Sequence, residues 1–252
     1  IVDLPGHERF IRNMLAGASG VDVAVLVVAA DDSVMPQTRE HFAILRLLQV
    51  KRGVIAITKA DLVDPDWIDM VEDDVRELVA GSFLEDATIV RTSAHTGEGI
   101  DDLRAAIATQ CEAAAAEDEG EGLFRLAVDR SFTMPGLGTV VTGTVWSGSA
   151  SVGDELAWLP SNERVRIRGI QSHGDSVERV DRGRRAAINL IGVHHTDIDR
   201  GHELAAPGYL QPTRRLSVWL DTLPDAKWSI RHRARVRLHI GTNEVIATVG
   251  LL

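Results

Sequence analysis

A short stretch at the start of the chain combines a carboxylate, a rigid turn and a histidine. Asp3 follows two apolar residues, a Pro-Gly pair ends at Gly6, and His7 comes next. A strand end that delivers a carboxylate into a tight turn is typical of phosphate sites at the carboxyl ends of strands. There a carboxylate can hold Mg²⁺ while a neighbouring side chain positions an attacking water. For these five residues alone, an ordinary turn with Asp3 capping a helix is an equally good interpretation.

A second stretch, TKAD at positions 58–61, directly follows the apolar run 53–57. Guanine presents a ring N–H and an exocyclic NH₂ side by side, and one carboxylate can accept both donors. Asp61 is placed for that contact, and Lys59 would lie along the plane of the base. Adenine lacks the donor pair and would be rejected. A Lys-Asp surface pair in a turn is the alternative interpretation.

The elements that must position these residues follow an α/β pattern in the first half of the chain. The apolar runs 23–30, 53–57 and 88–90 have strand length, and the first is typical of a parallel strand covered on both faces. Helical spacing predicts helices over 36–48, 66–79 and 100–116. For the second helix we predict a buried side that consists of Trp67, Met70, Val71, Val75 and Leu78.

The second half of the chain has an all-β pattern. Short alternating segments at 123–132, 138–146, 164–170 and 186–191 are separated by glycine-containing turns, and a small antiparallel barrel is the economical way to close them. Further strands are predicted at 216–220, 234–240 and 245–252. The domain prediction is therefore a partial nucleotide-binding domain at 1–116, a linker at 117–122, a barrel at 123–208 and the start of a second barrel at 209–252.

Composition supports two globular domains in a chain of 252 residues, with 44% hydrophobic and 25% charged residues. Cys111 is the only cysteine, which excludes internal disulfides and is compatible with a reducing cytoplasm. Residues 1–121 hold 10 Lys/Arg and 24 Asp/Glu, whereas residues 122–252 hold 17 and 13. The second half clusters its arginines on segments where alternate residues could face solvent or contact nucleic acid: Arg164, Arg166, Arg168; Arg179, Arg182, Arg184, Arg185; Arg231, Arg233, Arg235, Arg237.

Several motifs in one order carry a family resemblance. DLPGH, NMLAG, VAVLVVAA, MPQTREH, TKAD and a Ser-Ala pair, followed by GLGTVVTGTV, resemble translational GTPases of the elongation factor Tu superfamily. Within it, DLPGHERFIRNMLAG, TKADLVD and LAVDRSFTMPGLGTVVTGT resemble the selenocysteine-specific elongation factors of SelB type. The resemblance implies GTP and Mg²⁺ as cofactors. It also implies a mostly parallel GTPase sheet with helices on both faces, followed by antiparallel barrels.

The resemblance implies roles for the first motif. Asp3 would hold Mg²⁺ through water, the Gly6 amide would meet the γ-phosphate, and His7 would orient the hydrolytic water as the catalytic residue. The phosphate-binding GxxxxGK[ST] loop of the family is expected upstream of Ile1. We therefore expect the chain to be a fragment whose own GTP binding is weak.

The resemblance also implies a guanine site made from two further loops. Thr58, Lys59 and Asp61 match the family's NKxD motif, with Thr58 in place of an asparagine that normally braces neighbouring loops. Ser93 and Ala94 match the loop whose backbone N–H contacts the guanine carbonyl oxygen. The departure at Thr58 puts the bracing of the loops in question more than the specificity for guanine.

In the barrel, Asp129, Arg130 and Arg185 match the family's aminoacyl pocket for selenocysteine. A selenol is largely anionic at neutral pH and a serine hydroxyl is not, so guanidinium groups held by a carboxylate would favour the selenolate. The alternative is an ordinary Asp-Arg strand pair near a barrel rim.

The implied partners are selenocysteyl-tRNA, the ribosome at recoded UGA codons, and an mRNA hairpin bound through a C-terminal region absent from this chain. We expect a cytoplasmic monomer without membrane contact. Two other classes stay open. One is another superfamily member, either elongation factor Tu or the GTPase subunit of sulfate adenylation. The other is a non-catalytic RNA-binding module, which only the arginine clusters support.

Overall fold

The computed structural model describes residues 21–117, 122–220, 222 and 229–251. These form two compact units, one within residues 21–117 and the other from residue 122 onward. The predicted catalytic and magnesium residues Asp3, Gly6 and His7, and most of the predicted linker, lie outside the described residues.

The first unit is built on a parallel sheet, as its apolar runs predict. Its described strands lie in the order β1-β2-β3 and are β1 (Val23–Ala29), β2 (Arg52–Thr58) and β3 (Ile89–Arg91). The connections are helical, which parallel pairing requires. Helix α1 (Pro36–Leu47) connects β1 to β2, and a 3-10 helix (Ala60–Leu62) and α2 (Pro65–Val79) connect β2 to β3. Helix α3 (Ile100–Glu117) follows β3. None of the helices in the described ranges is long and apolar enough to cross a membrane.

Helix α2 packs on the sheet through a narrower face than the sequence predicts. Its buried side chains recur every three or four residues and are Ile68, Val71, Val75 and Val79. Trp67 and Met70 were predicted to be buried, and this prediction is wrong, because both side chains lie outside that stripe and are exposed. Trp67 instead donates its indole N–H to the Ala30 carbonyl oxygen at 2.8 Å, which fastens the start of α2 to the end of β1.

Within the part of the chain that the structure describes, strand β1 is buried on one face only. Ala24, Leu26 and Val28 point into the core, whereas Val25 and Val27 are 39% and 57% exposed. The prediction that both faces are covered is therefore wrong for this strand. Strand β2, which lies between β1 and β3, is buried continuously from residue 53 to residue 57. An unbroken apolar run is typical of a strand that is covered on both faces of the sheet, as β2 is.

The second unit is a closed antiparallel barrel, as predicted. Six strands complete the ring in the order β11-β5-β4-β12-β7-β8, and β8 pairs again with β11. Strand β9 pairs with β8 in an antiparallel manner, and β6 pairs with β10 outside the ring. The strands of this unit are β4 (Arg125–Met134), β5 (Gly138–Ser147), β6 (Ser149–Ser151), β7 (Glu155–Leu159), β8 (Glu163–Ser172), β9 (Asp175–Val177), β10 (Arg179–Asp181), β11 (Arg185–Ile191), β12 (Glu203–Ala205), β13 (Arg235–Ile240) and β14 (Asn243–Thr248).

The hairpin of β13 and β14 is attached to the barrel through its turn. Thr242 donates its hydroxyl to the Val128 carbonyl oxygen at 2.5 Å, and Arg200 donates to the Thr242 carbonyl oxygen at 3.3 Å. The segment 216–220, predicted as a strand, has no regular secondary structure, and Trp219 is 91% exposed. Alternating apolar residues form a strand only where a neighbouring strand completes the ladder.

A half-buried histidine, His202, gives the barrel a pH dependence that can be measured. His202 accepts hydrogen bonds at Nδ1 from the Trp158 indole and from the Asp199 amide, at 3.0 and 3.1 Å. Burial lowers the pKa of His202, and the charge of Asp199 opposes that change. Above the unfolded-state pKa of about 6.5 both states are neutral, and below it the unfolded chain binds the proton first.

We therefore predict that the free energy of unfolding falls as the pH drops from about 7.5 to about 5.5, the interval around the ordinary histidine pKa. His202→Asn keeps an acceptor for Trp158 and should flatten this slope in urea titrations followed by tryptophan fluorescence. The matched control is His173→Asn at an exposed position with a left-handed backbone that asparagine tolerates, and it should leave the slope unchanged. Equal slopes in both variants would contradict the assignment to His202.

Candidate functional site

Three loops that follow neighbouring parallel strands meet at one edge of the first sheet. The strand pairing sets Ala29 opposite Thr58 and Ile57 opposite Arg91, so β1, β2 and β3 end side by side. The loops carry Asp31 after β1, residues 59–61 after β2, and residues 92–94 after β3. Carboxyl ends of parallel strands are where ligands bind in open α/β sheets.

Main-chain hydrogen bonds brace these loops to one another. The Ala30 amide donates to the Thr58 carbonyl oxygen at 2.8 Å, and the Ala60 amide donates to the Thr92 carbonyl oxygen at 3.1 Å. Thr92 also donates its amide to the Ile57 carbonyl oxygen at 2.7 Å, and its buried hydroxyl bonds the same oxygen at 3.3 Å. The bonds between the loops after β1, β2 and β3 are thus made largely by backbone groups and do not involve the side chain at position 58.

The loop after β2 presents a lysine and a carboxylate in a fixed backbone frame. Lys59 has a left-handed backbone, with φ 58° and ψ 34°, and it begins the 3-10 helix that contains Asp61. The Lys59 ammonium bonds both carboxylate oxygens of Asp31, at 2.7 and 2.9 Å. The hydrogen bond with Asp31 raises the pKa of Lys59, so the side chain is cationic at neutral pH. The Asp61 side chain is exposed at the same edge.

The loop after β3 is held by the side chain of Ser93. Ser93 is fully buried, and its hydroxyl oxygen accepts hydrogen bonds from the amides of His95 and Thr96 at 3.2 and 3.1 Å. Ala94 is exposed at the turn that these bonds form. Ser93 is thus a loop-shaping residue, while the backbone at Ala94 is the group that a ligand can reach.

Taken together, this edge offers an exposed carboxylate, a lysine stem and an accessible backbone turn. Such a set can bind a flat heterocycle that carries paired donors. Within the described ranges, no cluster of three or more His, Cys, Asp or Glu side chains could hold a metal ion. The predicted Mg²⁺ position depends on Asp3, which is outside those ranges.

A second candidate site lies on the barrel, where strand β4 has a bulge. The pairing of β4 with β5 sets Val128 opposite Gly143 and Arg130 opposite Thr142, which leaves Asp129 as the extra residue. Thr142 donates its hydroxyl to one Asp129 oxygen at 2.6 Å, and Arg185 pairs with the other at 2.5 Å. The Asp129 side chain is only 18% exposed, whereas that of Arg185 is 52% exposed.

The structure brings Asp129 and Arg185 together and leaves Arg130 apart from both. Arg130 is exposed on β4, and no contact among the described residues joins it to Asp129 or Arg185. Because Asp129 neutralises Arg185, the three predicted pocket residues carry one net positive charge. That surplus suits a single anionic group arriving from solvent.

Two residues of these sites were missed in the sequence analysis. Asp31 ends the first apolar run, and the rule that places ligands at strand ends could have identified it. Thr142 stands within GLGTVVTGTV, but its contact depends on the bulge at Asp129, which no local pattern in the sequence indicates.

Several barrel arginines outside the pocket occupy solvent-facing strand positions. Along β8 the exposed arginines Arg164, Arg166 and Arg168 alternate with buried or half-buried residues, as one of the two interpretations predicts. Several arginines pair with carboxylates, since Arg164 and Arg166 both contact Glu155, Arg179 contacts Asp181 and Arg237 contacts Glu244. This pairing reduces the positive charge that these arginines give to the barrel surface.

Comparison with known proteins agrees with the geometry of the first unit. The model of the elongation factor Tu GTP binding domain matches residues 1–113. Elongation factor Tu 2 of Streptomyces avermitilis is 35% identical over 262 aligned positions, which cover 99% of this chain and 67% of that protein. The chain belongs to the elongation factor Tu family of translational GTPases.

The chain is also similar to selenocysteine-specific elongation factors. It is 45% identical to the selenocysteine-specific elongation factor of Desulfomicrobium baculatum and 41% identical to that of Escherichia coli K12, over its whole length. It spans 40% of the length of each of these relatives. The crystal structure of SelB from Methanococcus maripaludis with the GTP analogue GppNHp superposes with a TM-score of 0.84 at 30% identity, covering 98% of this chain and 55% of that one.

The bracing of the loop after β3 generates a prediction about two glycines. Both have left-handed backbones, Gly97 with φ 83° and Gly99 with φ 68°. A Cβ at Gly99 would lie 1.9 Å from the Arg91 carbonyl oxygen, whereas a Cβ at Gly97 would meet open space. Alanine at Gly97 should cost about 1 kcal/mol of unfolding free energy from the backbone alone.

Gly99→Ala should cost about 1–3 kcal/mol more than Gly97→Ala, because the overlap with backbone forces the loop to move. Urea unfolding of the two variants measures the difference. A Gly99→Ala cost equal to that of Gly97→Ala would show that the loop adapts freely and does not fix the position of Ala94.

Proposed function

We propose that the full-length protein containing this chain is a GTP-dependent elongation factor. It binds selenocysteyl-tRNA and delivers it to the ribosome at recoded UGA codons, with GTP hydrolysis as the release switch. The observation that carries the proposal is the Asp129–Arg185 pair on the barrel. In the sequence, the barrel follows a unit whose parallel strands end at the candidate guanine-binding loops. The similarity to selenocysteine-specific elongation factors over the whole chain supports it.

Guanine recognition is assigned to the three strand-end loops. Asp61 accepts the ring N–H and the exocyclic NH₂, Lys59 lies along the base, and the Ala94 amide donates to the carbonyl oxygen. Thr58 and Ser93 shape the loops that carry these groups. The exposure of Asp61 and the burial of Ser93 are consistent with this division of roles.

Hydrolysis is assigned to the first motif on the strength of its resemblance. His7 orients the attacking water, the Gly6 amide contacts the γ-phosphate, and Asp3 holds Mg²⁺ through water. When bound, Mg²⁺ would supply neutralisation of phosphate charge. The match to the elongation factor Tu GTP binding domain covers residues 1–113 and so includes this motif.

Selection of selenocysteine is assigned to the barrel pocket. A serine ester differs from a selenocysteine ester by one atom, so shape alone separates the two poorly. A selenolate that meets Arg130 and Arg185 gains charge-assisted hydrogen bonds of about 1.5–3 kcal/mol each, and a neutral hydroxyl does not. The single net positive charge of the three residues matches the single charge of the selenolate.

The remaining expectations form part of the same proposal. They are the domain limits 1–116, 117–122, 123–208 and 209–252, a cytoplasmic monomer, and an mRNA hairpin as a further partner of the full-length protein. A general RNA-binding module is less well supported, because carboxylates neutralise several of the barrel arginines. The Asp129–Arg185 pair favours the selenocysteine type over other members of the family.

The base specificity predicts the behaviour of Asp61→Asn in the full-length protein. An asparagine can accept one donor and donate one hydrogen bond, which suits xanthine, whose second ring carbonyl replaces the guanine NH₂. Affinity for GDP should fall roughly 100-fold, as expected for losing charge-assisted bonds to two donors, and affinity for xanthosine diphosphate should rise. Equilibrium titration with fluorescent nucleotides measures both.

Asp64→Asn is the matched control, because it makes the same charge change on an exposed carboxylate three residues further along the chain. It should alter neither affinity by more than about twofold, the scale of a screened surface charge. If both variants behave alike, Asp61 does not read the base.

The aminoacyl pocket predicts the behaviour of Arg185→Ala in the GTP-bound full-length protein. Affinity for selenocysteyl-tRNA should fall about 10-fold or more relative to affinity for seryl-tRNA, because only the selenolate loses a charge-assisted bond. Arg185→Lys should restore the ratio in part, since an ammonium lacks the planar fork of a guanidinium.

Arg164→Ala provides the matched control, because Arg164 also pairs with a carboxylate of the barrel. It lies at the start of β8, whereas Arg185 lies on β11 beside the end of β8. Loss of the Arg164 side chain should weaken both tRNAs alike or neither, as expected for a phosphate contact or a solvated side chain. A uniform loss for Arg185→Ala would mean that the selenocysteine pocket is wrongly assigned.

A further inference from the structure

Lys59 is held both at its backbone and at its ammonium group. The backbone is held within its own loop, and the ammonium is held by a residue of the neighbouring loop. The Lys59 backbone is fixed by the left-handed turn and by the bond from the Leu62 amide to the Lys59 carbonyl oxygen at 3.1 Å. Its ammonium is fixed by both oxygens of Asp31, which follows the neighbouring strand. The methylene stem is therefore stretched along the sheet edge between β2 and β1.

The loop that carries Asp31 is itself fastened on both sides of that residue. On one side the Ala30 carbonyl oxygen accepts the Trp67 indole N–H at 2.8 Å. On the other, the Ser33 hydroxyl donates to Asp74 at 2.9 Å. Asp31 is thus a rigidly mounted anchor, so it can orient a long side chain that would otherwise sample many rotamers.

The exposure of the Lys59–Asp31 ion pair decides between a stabilising role and an orienting role. The side chains of Lys59 and Asp31 are 47% and 34% exposed, and an ion pair in contact with water adds little to folding stability. Its geometric effect does not depend on burial, because two hydrogen bonds to one carboxylate fix both the position and the direction of the ammonium. The pair is therefore better suited to orientation than to stabilisation.

We propose that Asp31 is a positioning residue for guanine-nucleotide binding, which acts by holding the Lys59 stem where the face of the base packs against it. This inference rests on the proposed guanine site. Asp31 does not touch the nucleotide, and it reduces the loss of side-chain freedom that Lys59 would otherwise undergo on binding. The effect concerns the base alone, so GDP and GTP should respond equally.

The first test is the affinity of full-length Asp31→Asn for fluorescent GDP and for a non-hydrolysable GTP analogue. Asparagine preserves the shape of the side chain and removes the charge that holds the ammonium. Both affinities should fall about fivefold, the factor expected for immobilising one long side chain. Ser33→Ala is the matched control, because it loosens the same loop without touching Lys59, and it should change neither affinity by more than about twofold.

A double-mutant cycle then separates positioning from a general effect on the loop. Lys59→Met keeps an unbranched apolar stem and removes the group that Asp31 holds. In that background Asp31→Asn should change the affinity by less than about twofold, because its effect passes through Lys59. The same fivefold loss in both backgrounds, or a loss confined to the GTP analogue, would overturn the inference.

The outcomes also distinguish this inference from the function on which it rests. Failure of the wild-type protein to bind guanine nucleotides would overturn both. Normal binding with the predicted Asp61→Asn behaviour, but no loss in Asp31→Asn, would overturn the role of Asp31 and leave the guanine site in place.

Discussion

The first unit depends on a constraint of backbone geometry, namely that three parallel strand ends are joined by main-chain hydrogen bonds. The bond from the Ala30 amide to the Thr58 carbonyl oxygen ties β1 to β2, and the bond from the Ala60 amide to the Thr92 carbonyl oxygen ties the β2 loop to the β3 loop. Because backbone groups make these bonds, they tolerate a change of side chain at Thr58. The side chains of Lys59 and Asp61 are therefore carried by loops whose positions are set by main-chain hydrogen bonds.

In the barrel, the backbone also positions the candidate site, here through a β-bulge. A bulge at Asp129 removes one residue from the ladder and turns its carboxylate toward Thr142 and Arg185, so a local irregularity creates the site. Each Asp129 oxygen has its own partner, which fixes the carboxylate while leaving most of Arg185 reachable from solvent. Asp129 thus holds the Arg185 guanidinium in place before any anion binds, and preorganisation of this kind makes charge discrimination effective.

Much of this arrangement could be predicted from the sequence, and the failures have physical causes. The continuous apolar run of β2 and the alternation of β8 predict their strands because burial on both faces or on one face leaves a direct pattern. The exposed face of β1 and the positions of Trp67 and Met70 are set by which neighbours pack there, and local periodicity does not contain that information. The TKAD motif predicts Asp61 and the family resemblance predicts Asp129 and Arg185, whereas the contacts of Asp31 and Thr142 emerge only once strand pairing and the bulge bring them to their partners.

Binding of guanine where β1, β2 and β3 end is tested most directly by amide hydrogen exchange of the full-length protein. We predict that GDP slows exchange in residues 59–62 and 93–96 together, and that an equal concentration of ADP does not. Protection elsewhere in the first unit without these two loops, or the same protection with ADP, would contradict it.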